Sequence, residues 1–415
     1  MIAACVALAI AAPPPLRLAD LLREAREKNP ELKAARARAS GAKDAVSPAG
    51  TLDDPMLMVQ LWNAPVDFST VPVMIQLTQP IPLGGKRSAR ADVASSAAAV
   101  AAAELSARER EIDAQVAAAY ADLFLAEREQ EVDDEVENVL KVLLQLSQTR
   151  VATARGELLE MLRAQASLVQ LRSDREVAID RRKSAWARLS ALVDREQALP
   201  AGSTTAPGLV PSLPDVATLQ ARALRKRPEL AGARAQVEGA EAQARLARAA
   251  QVPDLSVFVA EMHTFKNPAG VSDFLFAGVQ VSLPIFRGSK TGPMISSADS
   301  QVVAARESEH GLRNRVAAEV AEAHAHVVSE QRQIDLHHQL IPIARHAVET
   351  AQSSYAAGRG EFTMVLDSAR ELRMHDLELA SHLAMYEKRL AELQAAAGSD
   401  LGLDESAESG HDERH

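Results

Sequence analysis

Residues 75–86, IQLTQPIPLGGK, return 204 positions later as residues 279–290, VQVSLPIFRGSK. In both copies apolar and polar residues alternate. Val73, Ile75 and Leu77 stand between Met74, Gln76 and Thr78, and Leu275, Ala277, Val279, Val281 and Leu283 between Phe274, Phe276, Gly278, Gln280 and Ser282. A period of two predicts strands in a sheet with one apolar and one polar face. Both strands run into a shared Pro-Ile-x-x-Gly-x-Lys, in which Pro80, Gly84 and Lys86 match Pro284, Gly288 and Lys290. This reads as a strand-to-helix exit. A phosphate loop would need glycine where Pro80 stands and Ser or Thr where Arg87 stands.

The repeat extends outward from these strands. Asn29-Pro30-Glu31-Leu32 returns as Arg227-Pro228-Glu229-Leu230, an offset of 198, and Gly156-Glu157 as Gly360-Glu361, again 204. The chain is therefore a tandem duplication: a first repeat at 13–198, a Pro/Gly/Ser/Thr-rich linker at 199–213, and a second repeat at 214–397. Each half opens with a helical segment, Leu16–Val46 or Pro214–Ala250. Two strands follow, Met56–Trp62 with Val71–Thr78, and Leu255–Met262 with Phe274–Leu283. A long helical stretch comes next, Ser88–Thr153 or Gly292–Ala357, and then a return helix, Glu157–Val193 or Glu361–Ala397.

The long stretches are the most informative feature. Lys86 to Gly156 and Lys290 to Gly360 are both 70 residues, which at ~1.5 Å per residue is on the order of 100 Å of helix. Val132, Val136, Leu140, Leu143 and Leu146 mark a seam for a neighbouring helix. The alanines of 97–103 let a partner backbone approach closely. The chain is expected to reverse at Gly156 and at Gly358/Gly360, where glycine accepts positive φ.

Composition narrows the function. Hydrophobic residues are 47% but aromatics only 3%, and 46 Lys+Arg against 56 Asp+Glu leave a net charge of −10. That balance suits helix packing through small side chains and carries no basic footprint for nucleic acid. No apolar run is long enough for a helical membrane span. Met1–Ala12 reads as a signal-like segment with a small-x-small cleavage pattern at Ala9-Ile10-Ala11, and Ile2-Ala3-Ala4-Cys5 also resembles a lipoprotein acylation site. Residues 398–415 read as a disordered acidic tail.

Four amphipathic strands are too few to close a barrel, and left open their edges expose unpaired backbone. Either three chains pool twelve strands around a watery lumen, faced by Gln76, Thr78, Gln280 and Ser282, or a small sheet caps a coiled coil. Here the ordered, duplicated motifs resemble the TolC family of outer-membrane efflux ducts over essentially the whole mature chain. The residues carrying the resemblance are Asn29–Leu32 and Arg227–Leu230, the exits Gln79–Lys86 and Leu283–Lys290, and the Tyr355-x-x-Gly358 turn leading to Val365-Leu366-Asp367. Pro80–Arg87 is most similar to the cobalt–zinc–cadmium efflux subgroup.

The resemblance implies a mainly α fold with a small β part. Tandem long α-hairpins would form a periplasmic tunnel, and four strands per chain a trimeric twelve-stranded barrel in the outer membrane of a Gram-negative bacterium. It implies a homotrimer working with a periplasmic adaptor and an inner-membrane pump of the RND type, in contact with outer-membrane lipid, without enzyme activity or cofactor. The first half departs from the pattern: Val151, Ala154 and Arg163 stand where Tyr355, Gly358 and Asp367 do in the second.

Gly156, Glu157, Glu160, Tyr355, Gly358, Gly360, Glu361 and Asp367 are the candidates for the periplasmic tip and gate. Their carboxylates would form threefold rings in a trimer, a cation-selective constriction, or serve as N-terminal acids favoured by the helix dipole. His324, His326, His337, His338 and His346 have no pair at a spacing of three or four and read as a solvated helix face, not a metal site. Gly-x-Ser-x-Gly, His-Glu-x-x-His and a cysteine nucleophile are all missing, so nothing argues for an enzyme. The rival readings are a secreted periplasmic coiled-coil scaffold without a pore and a soluble metal-binding protein using the histidine-rich helix.

Overall fold

The computed structural model describes residues 15–61, 72–154, 156–195, 202–264 and 273–399. The signal-like segment with Cys5, the acidic tail from residue 400, Trp62, Val71 and the first residues of the linker lie outside them. The chain is helical with one small sheet. Its elements are α1 (Leu18–Lys28), α2 (Pro30–Asp44), α3 (Val46–Gly50), β1 (Met56–Leu61), β2 (Pro72–Ile81), α4 (Lys86–Ala152), α5 (Leu158–Val193), α6 (Val216–Lys226), α7 (Pro228–Ala249), β3 (Leu255–Thr264), β4 (Phe274–Val281), α8 (Gly292–Ala356) and α9 (Phe362–Ala397). They sort into two compact units: residues 1–33, 107–227 and 315–415, and residues 34–106 and 228–314.

Among its described residues the first unit is helical apart from the linker and the two reversals. Leu21, Ala25 and Leu32 pack on Ile112, Val116, Tyr120 and Leu123 of α4 and on Trp186, Leu189 and Val193 of α5. Farther along, the seam anticipated on α4 is real: Val132, Val136, Leu140 and Leu143 are buried, with Leu146 partly so. The linker is held by tyrosines, since Tyr120 Oη donates to the Leu16 carbonyl at 2.9 Å and accepts from the Thr205 N–H at 2.9 Å. Tyr386 Oη accepts from the Val210 N–H at 2.9 Å.

Each opening segment, expected as one helix, is two. The breaks fall before Pro30 and Pro228, because the residue before a proline is excluded from the helical region. Asn29 turns the first break into a cap. Its Oδ1 accepts from the N–H groups of Glu31 and Leu32, at 2.8 and 3.2 Å, and its Nδ2 donates to the Leu192 carbonyl. Those bonds satisfy orphan donors at the start of α2.

The second unit holds the sheet, antiparallel in the order β1-β2-β3-β4. Its register pairs Val59 with Ile75, Ile75 with Glu261, and Val259 with Leu77 and Ala277. Leu57, Val59 and Leu61 therefore share a face with Ile75, Leu77, Val257, Val259, Leu275, Val279 and Val281, all of them exposed. The opposite face is not simply polar. Gln76, Thr78 and Gln280 share it with Met58, Met74, Phe258 and Phe276, the two phenylalanine rings meeting edge to face at 6.3 Å. Gly278 belongs to that packing rather than to a watery surface, since a Cβ there would lie 2.5 Å from the Phe258 ring.

The helices of this unit pack on one another through small residues. Ala244 and Ala247 of α7 meet Ala298 of α8, and Cβ atoms added at Gly232 and Gly239 would lie 3.2 Å from Ala103 and Ser96 of α4. The alanine-rich start of α4 thus does admit a close partner.

Candidate functional site

The reversals between α4 and α5 and between α8 and α9 bring two of the eight tip candidates, Tyr355 and Glu160, into contact. Tyr355, on the last turn of α8, is fully buried among Leu140, Leu143, Ala164, Leu168, Phe362 and Val365. Its hydroxyl donates to Glu160 Oε2 at 2.9 Å. The Arg150 guanidinium lies 4.5 Å above its ring and donates to its carbonyl oxygen, and the Phe362 ring meets it edge-on at 6.1 Å. A cation over an aromatic face and a phenol on a carboxylate are both strengthened by exclusion of water. Burial, and after it the bond to Glu160, push the Tyr355 phenol up to about 12.

This latch exists once, although the chain is duplicated. At the 204-residue offset, Val151 corresponds to Tyr355 and Met364 to Glu160, so the reciprocal pair has no polar partners. A second tie lies along the same helices. Arg373 of α9 donates from Nε to Asp133 Oδ1 of α4 at 2.8 Å and from Nη2 to Asp174 Oδ2 of α5 at 3.1 Å.

The remaining tip candidates stand apart from this core. Glu157 and Glu361 are the exposed N-cap positions of α5 and α9, and neither side chain makes a capping hydrogen bond. Asp367 is exposed, 3.5 Å from Arg370. The glycines behave differently from expectation. Gly358 takes positive φ, 72°, but in the first half it is Ala154, at the equivalent position, that does so at 57°, not Gly156. Gly156 and Gly360 instead allow the chain to pass close to the preceding helix. A Cβ would lie 2.8 Å from Arg150 Cβ at the first and 2.9 Å from the Tyr355 nitrogen at the second.

The two strand exits also diverge. Pro80 lies inside β2, paired with Ser256 beyond the end of β1, where a missing N–H costs no ladder bond on the open side. The chain bends after Ile81, with Gly84 and Gly85 at positive φ, and α4 begins at Lys86. Lys86 is buried, its Nζ donating to the Val252 carbonyl at 2.8 Å and to Asp254 Oδ1 at 2.6 Å. In the second half β4 ends at Val281. Ser282 already lies outside the strand, its N–H donating to the Asp254 carbonyl, and Pro284 follows it. Gly288 and Lys290 fall in a single π-helical turn, Arg287–Thr291, with Lys290 exposed.

The histidine expectation needs correcting at one residue. His337 is buried, not solvated, and its ring stacks on His382 at 5.4 Å and approaches His375 at 5.5 Å, both on α9. Arg150, Arg373, His375 and His382 went unnoticed in the sequence. The spacing of His375, Glu378 and His382, three and then four residues apart, was the signal that could have found the last two.

No helix among the described residues is long and apolar enough to cross a membrane. The family model for outer membrane efflux proteins matches residues 21–194 and again 219–399. The cobalt-zinc-cadmium resistance protein CzcC of Cupriavidus metallidurans is 26% identical over 362 residues, 86% of this chain and 84% of its own. The pyoverdine export outer membrane protein OpmQ of Pseudomonas aeruginosa is 28% identical over 192 residues, a match that spans 44% of this chain and only 38% of OpmQ. Among solved structures, the outer-membrane channel OprN superposes with a TM-score of 0.79 at 18% identity, covering 92% of this chain and 90% of its own. VceC of Vibrio cholerae superposes at 0.78 and 22%, covering 92% and 96%.

Proposed function

Because the chain belongs to the outer membrane efflux protein family, we propose that it is the outer-membrane channel of a tripartite efflux system, a passive exit duct assembled from three copies. The observation that carries this reading is the sheet. It presents a broad exposed apolar face, interrupted by Glu261, and among the described residues both of its outer strands, β1 and β4, are almost wholly exposed with one edge unpaired. Three such sheets, joined edge to edge, supply twelve strands and leave no open edge. β2 and β3 are ten residues each, the length a tilted strand needs to cross the hydrocarbon core, about 9–11 residues.

In this reading the helical reversals are the periplasmic entrance, where an adaptor and an inner-membrane pump dock. The duct does no chemistry, and the pump supplies the energy. Opening separates the two reversals that Tyr355, Glu160 and Arg150 hold together. The similarity to CzcC along most of both chains supports divalent heavy-metal cations as the cargo.

The purified mature protein, reconstituted in planar bilayers, is expected to give discrete ion conductance. A chain that inserts no channels would instead be the periplasmic scaffold. For the cargo, deletion of the gene is expected to lower the tolerance of the host to zinc, cobalt and cadmium, and unchanged tolerance would remove the metal assignment while leaving the duct.

A further inference from the structure

Apart from the hairpin reversals, one cluster of ionisable side chains in the helical unit is built like a ligand set. On α9, His375, Glu378 and His382 fall on one face, and α8 presents His337 to it. Ligand atoms of His337, His375 and Glu378 all lie within 4.8 Å of one another. His337 Nε2 is 3.7 Å and His375 Nδ1 is 3.4 Å from Glu378 Oε2.

Beside them, His382 Nδ1 is 2.8 Å from Glu330 Oε2. His337 is 5% exposed, and neither its Nδ1 nor that of His375 has a hydrogen-bond partner. Buried polar atoms nearly always have one.

The His337 ring lies within 5.5 Å of the rings of both His375 and His382. Burial, ahead of the opposing pull of Glu378, holds His337 below the ordinary histidine range. Imidazole nitrogens beside a carboxylate are a ligand set that suits a borderline-soft divalent cation. Two histidines and one glutamate are a sufficient protein set for a four-coordinate ion with one open position.

We propose that His337, His375 and Glu378 bind one zinc-class divalent cation per chain and so tie α8 to α9. The site is a resident one within the helices, and it stands or falls separately from the duct reading and its cargo. Its ligands come from two helices, so residue spacing along α8 alone does not reveal it.

The test is titration of the purified full-length protein with Co2+, read by its d–d absorption, and with Zn2+, read by calorimetry and by thermal midpoint against a chelator-treated control. The expected result is one ion per chain, an intense tetrahedral-type Co2+ spectrum and a higher midpoint with Zn2+. Glu378→Gln, at a half-exposed position where folding is not at stake, should weaken binding at least tenfold, since even outer-shell changes cost about 10–100-fold. His375→Asn should abolish the spectrum, and the exposed His346→Ala should change nothing. Absence of saturable binding, a pale octahedral spectrum, or equal affinity in Glu378→Gln and the unaltered chain would overturn the proposal and leave an ordinary histidine–carboxylate cluster.

Discussion

Tyr355 is where one side chain carries the most. Its phenol must stay protonated to donate to Glu160, and its pKa lies above the free value, at about 12. The sign follows from linkage. The proton is held more tightly in the folded state, so the contribution of Tyr355 is complete below pH 10 and is lost as pH rises from 10 through about 12. Tyr355→Phe is expected to destabilise the folded protein by about 1.5 kcal/mol and to remove this alkaline step, both measurable by denaturation at pH 8 and pH 11. Ala154 illustrates a different cost. A non-glycine residue at positive φ stores roughly 1–2 kcal/mol, and it sits where the second half has Gly358. The first reversal is therefore made against local preference.

Among elements, α9 is the integrating one. One helix supplies Arg373 to Asp133 and Asp174, Lys388 to Asp122, and His375, Glu378 and His382 to His337. The ties of Arg373 reach both helices of the first hairpin, α4 and α5, while the latch of Tyr355 joins the first reversal to the second. If export requires these elements to separate, then Glu160→Cys and Tyr355→Cys joined by a short bis-maleimide should block export, with oligomerisation unchanged. The same double variant left unlinked should transport freely or leak. Export that persists after cross-linking would place opening elsewhere. The long helices also show why helical period is informative over such lengths. The α4 seam from Val132 to Leu143 was readable because each position repeats the same burial decision. The break at Pro30 and Pro228 was equally available from the residues, through the restriction that proline places on its predecessor.

For the molecule as a whole the decisive surface is the sheet, whose apolar face finds no partner among the described residues of one chain. In a membrane barrel that face meets lipid, and Val59→Lys on it is expected to cost about 2–4 kcal/mol near the bilayer midplane. The check is the yield of trimer extracted from outer membranes in mild detergent, which should fall sharply, whereas Gln76→Lys on the other face should be tolerated. The duplication, the strands, the helix lengths and the positions of the reversals were all legible in the amino-acid sequence. Each is set by local periodicity or by residues with strong backbone preferences, and the 204-residue offset displays them twice. What only the tertiary structure decided is which side chains meet. Tyr355 and Glu160 are 195 residues apart, and His337 and His375 are 38 apart on different helices. Periodicity along one helix says which face is buried, but the register between helices comes from the fit of all their side chains together. The two halves also differ in what they contribute: the first supplies Glu160 and Arg150 to the latch, the left-handed Gly84 bend and the buried Lys86, and the second supplies Tyr355.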